Sequence, residues 1–164
     1  MPRGRGNFGI RIDRNGSWFY RGSTIHRIAL VRLFSRVLER DTDGLYWLVT
    51  PAERGRITVE DAPFIVVALA VKDSGPRQRL VFRTNVDDIV TLDAAHPLRI
   101  AEDVVTRTPV PYILVRGGLE ARIARPAFYE LVDLGREEQV GGKTSFGVWS
   151  SAKFFPLDTL SPMR

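Results

Sequence analysis

From residue 45 onward apolar residues recur with a period of two. Segments 45–50, 56–60, 64–71, 79–84, 89–92 and 98–100 are short runs of β-branched and aromatic residues, parted by Pro, Gly and Asp clusters. Successive side chains of an extended segment point to opposite faces, so each run needs neighbouring strands and a core against at least one face. The middle of the chain is therefore read as sheet. The run from Phe64 to Val71 is apolar at every position and is expected at the centre of a sheet, a buried helix being the alternative that its length leaves open.

The flanks read as hairpins and helices. Residues 8–13 alternate apolar and polar, and Asn15-Gly16 then leads into Ser17-Trp18-Phe19-Tyr20, a strong short-range signal for a tight hairpin. Ser23 or Thr24 can cap a following helix whose apolar residues Ile25, Ile28, Leu33, Phe34, Val37 and Leu38 recur at three and four, and that helix is expected to run to about Glu39. A second hairpin over residues 111–123 turns at Gly117-Gly118 and precedes a helix that starts at Pro126 and ends at Gly135. A loop over 136–145 and two closing strands near 146–150 and 153–156 complete the reading. The succession of hairpin, helix and strands thus appears twice, with Gly16 and Gly118 separated by 102 residues, which suggests a duplication.

Composition narrows the chemistry. The 164 residues are 44% hydrophobic and 26% charged, as in globular chains, and contain no cysteine, so disulfides, thiolate metal sites and cysteine nucleophiles are excluded. No window reaches the roughly 18 apolar residues of a membrane span and the N-terminus lacks the apolar core of a secretory signal, so a cytoplasmic location is expected. The net charge is +5, and +3 without Arg3 and Arg5; 21 of the 24 cations are arginines, which suit planar anions, although biased codon usage accounts for the same excess. Trp18, Phe19, Tyr20, Tyr46 and Trp47 lie among arginines, the mixture used on single-stranded nucleic acid, but the small net charge argues against that partner.

Several apparent motifs fail on spacing. Gly141-Gly142-Lys143-Thr144 resembles the end of a phosphate loop, yet Glu137 stands where the first glycine is required, and the segment leads into a strand rather than a helix. Asp41-Thr42-Asp43-Gly44 has neither the glycine nor the glutamate of a calcium loop in register. His26 and His96 are too far apart for a histidine pair, so no metal and no cofactor is expected. No catalytic residue is assigned; His96 and Glu120 would be the first to test if the protein were an enzyme, the less favoured alternative. Polar residues that interrupt apolar strands are better candidates: Arg83, Thr84 and Asn85 close one strand, and Arg116, Glu120 and Arg122 bracket the Gly117-Gly118 turn. Each reads either as a surface ion pair or as part of an anion site where strand ends converge.

Gly16-Ser17-Trp18, Leu33-Phe34-Ser35, Leu48-Val49-Thr50-Pro51, Val59-Glu60-Asp61-Ala62-Pro63-Phe64, Thr84-Asn85-Val86-Asp87-Asp88, His96-Pro97-Leu98-Arg99, Leu119-Glu120-Ala121 and Val148-Trp149-Ser150 together resemble the bacterial domain-of-unknown-function family 1285 over nearly the whole chain. The resemblance implies a duplicated core, a C-terminal half superficially similar to pleckstrin-homology-like folds, a nucleotide-based ligand between the halves and a role in signal transduction. It supplies no set of binding residues. It also leads to a glycine ahead of the Phe-Phe pair where this chain has Ala152-Lys153-Phe154-Phe155, which predicts a different local turn.

These readings combine into an α+β protein of two related units, 1–85 and 86–164, built mostly from antiparallel sheets. The expected function is that of a sensor or adaptor that binds an anionic, nucleotide-like ligand at the cleft between units through some of Arg83, Thr84, Asn85, Arg116, Glu120 and Arg122. The alternative is a protein-interaction module, with a signalling protein as partner and no small-molecule ligand.

Overall fold

The first hairpin closes on Asp13, whose Oδ1 accepts the backbone N–H groups of Asn15 and Ser17, both at 2.9 Å. A computed structural model describes residues 3–158. The hairpin joins β1 (Arg3–Ile12) to β2 (Trp18–Tyr20), and alternation buries Ile10, Ile12 and Trp18 on one face. Gly16 holds a φ of +83° at the turn, and a Cβ there would stand 2.5 Å from Ile65 Cγ1 and 2.9 Å from Asn85 Nδ2. Only glycine permits both the left-handed backbone and this approach to the second half of the chain.

Arg21 and Gly22 take φ values of +48° and +86° in a two-residue turn that folds Ser23–Thr24 back as the edge strand β3. Their pairing with Phe19 and Tyr20 removes Ser23 and Thr24 from the capping role expected of them. Helix α1 accordingly spans only Ile28–Arg36, with no side-chain cap. It also stops before the expected Glu39, because Leu38–Arg40 is drawn into β4 opposite β5 (Tyr46–Val49). With β6 (Glu53–Val59) the first sheet has the order β3-β2-β1-β6-β5-β4, and every pair is antiparallel except β1 with β6.

The second sheet repeats this topology. Its strands are β7 (Phe64–Lys72), β8 (Arg79–Thr84), β9 (Ile89–Thr91), β10 (Leu98–Glu102), β11 (Pro109–Arg116) and β12 (Leu119–Ile123). Read from the opposite edge, their order is β9-β8-β7-β12-β11-β10, with β7 parallel to β12 as β1 is to β6. Each sheet is two three-stranded meanders joined through the first strand of one and the last strand of the other. β7 is central, as its apolar run leads one to expect, although only Phe64, Ile65 and Val66 are buried, while Val67 and Val71 reach solvent.

The duplication therefore exists at the level of sheets. The spacing of 102 residues between Gly16 and Gly118 relates hairpins that occupy different places in the two sheets, although hairpin, helix and three strands do follow one another twice. In the first sheet α1 links the two meanders; in the second that link is a turn in which His96 donates its backbone N–H to Asp93. Helix α2 (Arg125–Asp133), with Pro126 in its first turn, instead follows β12 and leads to a three-stranded sheet. That sheet contains β13 (Arg136–Val140), β14 (Lys143–Ser150) and β15 (Lys153–Pro156), so residues 136–145, expected as a loop, are mostly strand. The two large sheets change over between Val59 and Phe64, whereas residue 85 falls between β8 and β9, which are paired.

One hydrophobic core runs through both halves. Trp18 and Ile12 from the first sheet, Phe64, Phe82, Leu80 and Ile113 from the second, and Leu131 from α2 are all at most 1% exposed. The whole is α+β and strand-rich, with mostly antiparallel sheets. Among the described residues no helix is long and apolar enough to cross a membrane.

Candidate ligand-binding site

Two clusters of charge form where the halves meet. In the first, Arg116 Nη2 donates to the carbonyl of Ser35 at 2.8 Å, stands 3.7 Å from Asp88, and lies over the Phe64 ring at 5.3 Å. Arg83 pairs with Asp87 at 3.2 Å, and Arg32 of α1 pairs with the same carboxylate. Three guanidinium groups from α1, β8 and β11 thus surround the Asp87-Asp88 turn. Thr84 builds that turn: it is fully buried, and its hydroxyl oxygen accepts the N–H groups of Val86 and Asp88. Asn85 ties the halves together, its Oδ1 accepting the Ile65 N–H at 3.0 Å and its Nδ2 donating to the Gly16 carbonyl at 3.2 Å.

In the second cluster Arg122 Nη2 donates to the carbonyl of Arg14 at 2.7 Å, and its Nε lies 3.5 Å from Asp61. The Tyr112 hydroxyl donates to the other oxygen of Asp61 at 2.7 Å. Glu120 accepts a bidentate pair of bonds from Arg99, both 3.0 Å, and Arg99 lies over the Tyr112 ring. Arg14 reaches Asp103 at 3.3 Å, where the backbone N–H groups of Thr106 and Val105 hold the Asp103 carboxyl below the usual carboxylate range.

Arginines distant in sequence therefore do converge on the seam. Arg83 and Arg116 share the first cluster with Thr84 and Asn85 beside them, while Glu120 and Arg122 belong to the second. What Arg116 and Arg122 grip is backbone of the other half, a bond that secures the junction.

A different site lies inside the first sheet. Its inner face and α1 enclose a cup of about 630 Å³, within the range of small-molecule pockets. Phe8, Ile10 and Leu48 form the floor, and Leu30 and Phe34 face it from α1 one helical turn apart, with Val37 just past the end of the helix. Phe8 lies flat across Gly55, where a Cβ would come within 2.5 Å of its ring carbons. Polar residues, most of them exposed, stand around the mouth: Asn7, Arg21, Ser23, Thr24, Thr50 and Glu53. None of the six residues expected to bind ligand lines it. The helical pattern of α1 identifies an apolar face, but no local pattern says whether such a face meets packed side chains or a void.

The remaining candidates have structural surroundings. Trp18 and Tyr46 are core, Tyr20 lines the cup, Phe19 lies under Arg11 at 4.3 Å, and Trp47 lies under Arg54 at 3.7 Å. The Trp47 indole N–H donates to Asp41, and this bond is the main cause holding the Asp41 carboxyl below its usual range. His96 Nδ1 is 2.8 Å from Asp93. Among the described residues no group of three His, Cys, Asp or Glu could hold a metal ion.

Two family models cover the chain. One, described as the N-terminal domain of DUF1285, a domain of unknown function, matches residues 1–62; the other, described as the C-terminal domain of the DUF1285 protein of unknown function, matches residues 63–157. A solved DUF1285 family protein from Silicibacter pomeroyi is 46% identical, with a TM-score of 0.87 over 96% of this chain and 83% of its own. Another from Shewanella baltica is 24% identical, with a TM-score of 0.60 over 76% of this chain and 91% of its own, a likeness of fold. No curated protein matches.

Proposed function

The chain belongs to the DUF1285 family, and from that premise we propose that it is a ligand-responsive sensor or adaptor whose small-molecule site is the cup of the first sheet. The observation that carries this reading is the double role of α1. Leu30 and Phe34 face the cup, while Arg32 and the Ser35 carbonyl hold Asp87 and Arg116 of the second half. A ligand with an apolar body that enters beneath α1 acts on the helix that fastens the two halves together. If it binds one setting of α1 better than another, its occupancy is read at the seam as a change in how the halves are joined. A signalling partner would recognise that change.

Thermal denaturation against a panel of apolar, amphipathic and nucleotide compounds tests this. Saturation at 100 times Kd adds about 2.7 kcal/mol. A shift with apolar-bodied compounds supports the cup, and no shift with any of them contradicts it.

A second reading keeps the nucleotide-like anion at the inter-domain cleft. It is favoured by the convergence of Arg32, Arg83 and Arg116 on one turn, where a phosphate would replace the carboxylates of Asp87, which Arg32 and Arg83 share, and Asp88, which Arg116 faces. On this reading nucleotides shift the transition and Arg83→Ala abolishes the shift, whereas apolar compounds do nothing.

A further inference from the structure

We infer that the ligand of the cup is a monocarboxylate with a long apolar tail, and that Arg21 with the hydroxyl of Ser23 binds its carboxylate. The inference rests on the cup being a ligand site and specifies which chemistry that site accepts.

The polar groups at the mouth are unevenly placed. Arg21 and Ser23 belong to the β2–β3 turn and edge strand, on one side, and Ser23 pairs with Tyr20, which also lines the cup. Glu53 begins β6, which is separated from β2 by β1, and it pairs with Arg3 whereas Arg21 bonds to Gly9, so the carboxylate lies at least two strand spacings across, roughly 10 Å, and six residues farther along β1. One side therefore offers a cation and a hydroxyl donor, and the other repels negative charge.

Arg21 is held for this role. Its backbone N–H donates to the Gly9 carbonyl at 2.8 Å, and its side chain lies back over Gly9, where a Cβ would stand 3.2 Å from its Cγ. Its guanidinium lies 5.3 Å from the centre of the Tyr20 ring, which itself lines the cup. Among the described residues no carboxylate forms an ion pair with it, whereas the seam arginines Arg14, Arg32, Arg83, Arg99, Arg116 and Arg122 are all paired, so Arg21 is the cation of the cup's lining and its charge is not neutralised by a carboxylate. A single planar cation matches one carboxylate in bidentate fashion. A dianionic head group would find only one cation here and would meet Glu53 across the mouth.

The rest of the cup accepts hydrocarbon. Seven aliphatic or phenyl side chains, Phe8 to Leu48, surround a volume that at roughly 30 Å³ per water holds on the order of twenty heavy atoms. That suits a medium or long acyl chain, with its tail between the sheet and α1 and its head at the β2–β3 turn.

The test is calorimetric titration of the full chain with straight-chain fatty acids of increasing length and with their methyl esters. The acids should tighten about fourfold per added methylene, the equivalent of about 0.8 kcal/mol, until the cup is filled. Each ester should bind at least tenfold more weakly than its acid. Arg21→Asn, which suits the left-handed turn, should reduce acid affinity to that of the ester and leave the ester unchanged, and Ser23→Glu should weaken the acid more than the ester. Esters that bind the native protein as tightly as acids, or an Arg21→Asn variant that weakens both alike, overturn the carboxylate assignment while the cup stands. If neither acids nor esters bind, the cup reading falls and this inference with it.

Discussion

Arg116 on β11 donates its Nη2 hydrogen to the carbonyl oxygen of Ser35 at 2.8 Å, so a side chain of the second sheet closes on the backbone of the helix that covers the first. The Ser35 side chain is turned away from this bond, its hydroxyl donating to the Arg32 carbonyl at 2.7 Å. The seam is thus fastened at the same helix whose other face lines the cup.

Arg116→Ala removes a charged donor from that carbonyl and should lower stability by about 1–2 kcal/mol, with Arg116→Lys recovering only part of the loss because one ammonium cannot also reach Asp88 in the same geometry. Urea denaturation monitored by tryptophan fluorescence measures both variants. Equal stability of Arg116→Ala and the native chain would show that the bond contributes nothing to the junction.

Gly16 and Asn85 form the other fastening. Gly16→Ala places a Cβ against Ile65 and Asn85 at a left-handed φ, and should cost more than about 1 kcal/mol. Asn85→Ala strands the Ile65 N–H and the Gly16 carbonyl at a cost of about 1–3 kcal/mol. Because both changes damage the same contact, the double variant should lose less than the two single losses combined. Additive losses would mean that the residues act independently.

Much of this architecture is legible in the chain itself. The period of two across the middle places most of the strands, Asn15-Gly16 marks the first hairpin, and Pro126 with Gly135 brackets α2. The ends of α1 are not legible, because Ser23, Thr24 and Leu38 suit a helix locally and are captured by strand partners at Tyr20, Phe19 and Leu48. The parallel pairs β1–β6 and β7–β12 join segments about 50 residues apart and leave no local trace, so the true phase of the duplication was hidden. At the seam, residue type foretells that Arg116 and Arg122 find acceptors across the chain but not that the acceptors are carbonyls. The cup is invisible for a similar reason: periodicity reports an apolar face and not what fills the space beside it.

The β14–β15 turn departs from the glycine that the family resemblance suggests. Ser151 and Ala152 both take left-handed φ values, +54° and +62°. Alanine is strained there by about 1–2 kcal/mol, and glycine gives back part of that through its freer unfolded chain. Ala152→Gly should therefore raise the midpoint of thermal unfolding, corresponding to about 0.5–1 kcal/mol. A lower midpoint would contradict the strain.

Acid should loosen three loops together. Hydrogen bonds from Trp47 to Asp41, from the Thr106 and Val105 backbone to Asp103, and from the Phe146 backbone to Asp158 all favour the charged carboxylate and lower its pKa in the folded chain. Each contribution is complete above the ordinary carboxylate value near 4 and is lost as pH falls below it through the depressed folded values. Stability should be flat in this respect from pH 5 upward and decline below about pH 4. Asp103→Asn should make that decline shallower; an unchanged acid profile would show that Asp103 is not one of its sources.

The cup can be narrowed without touching its mouth. Gly55→Ala pushes the Phe8 ring off the sheet and into the void, so any ligand that fills the cup should bind several-fold more weakly while the seam contacts persist. Unchanged affinity in this variant would place the ligand elsewhere.

Amide hydrogen exchange of the native chain, with and without saturating dodecanoate, tests the coupling of cup to seam most directly. The account predicts slower exchange in two separated places at once: α1 over residues 28–36, and the turn over residues 84–88 that meets Arg32 and Arg116. Protection confined to the cup with the 84–88 turn unaltered, or no protection in α1 at all, would contradict it.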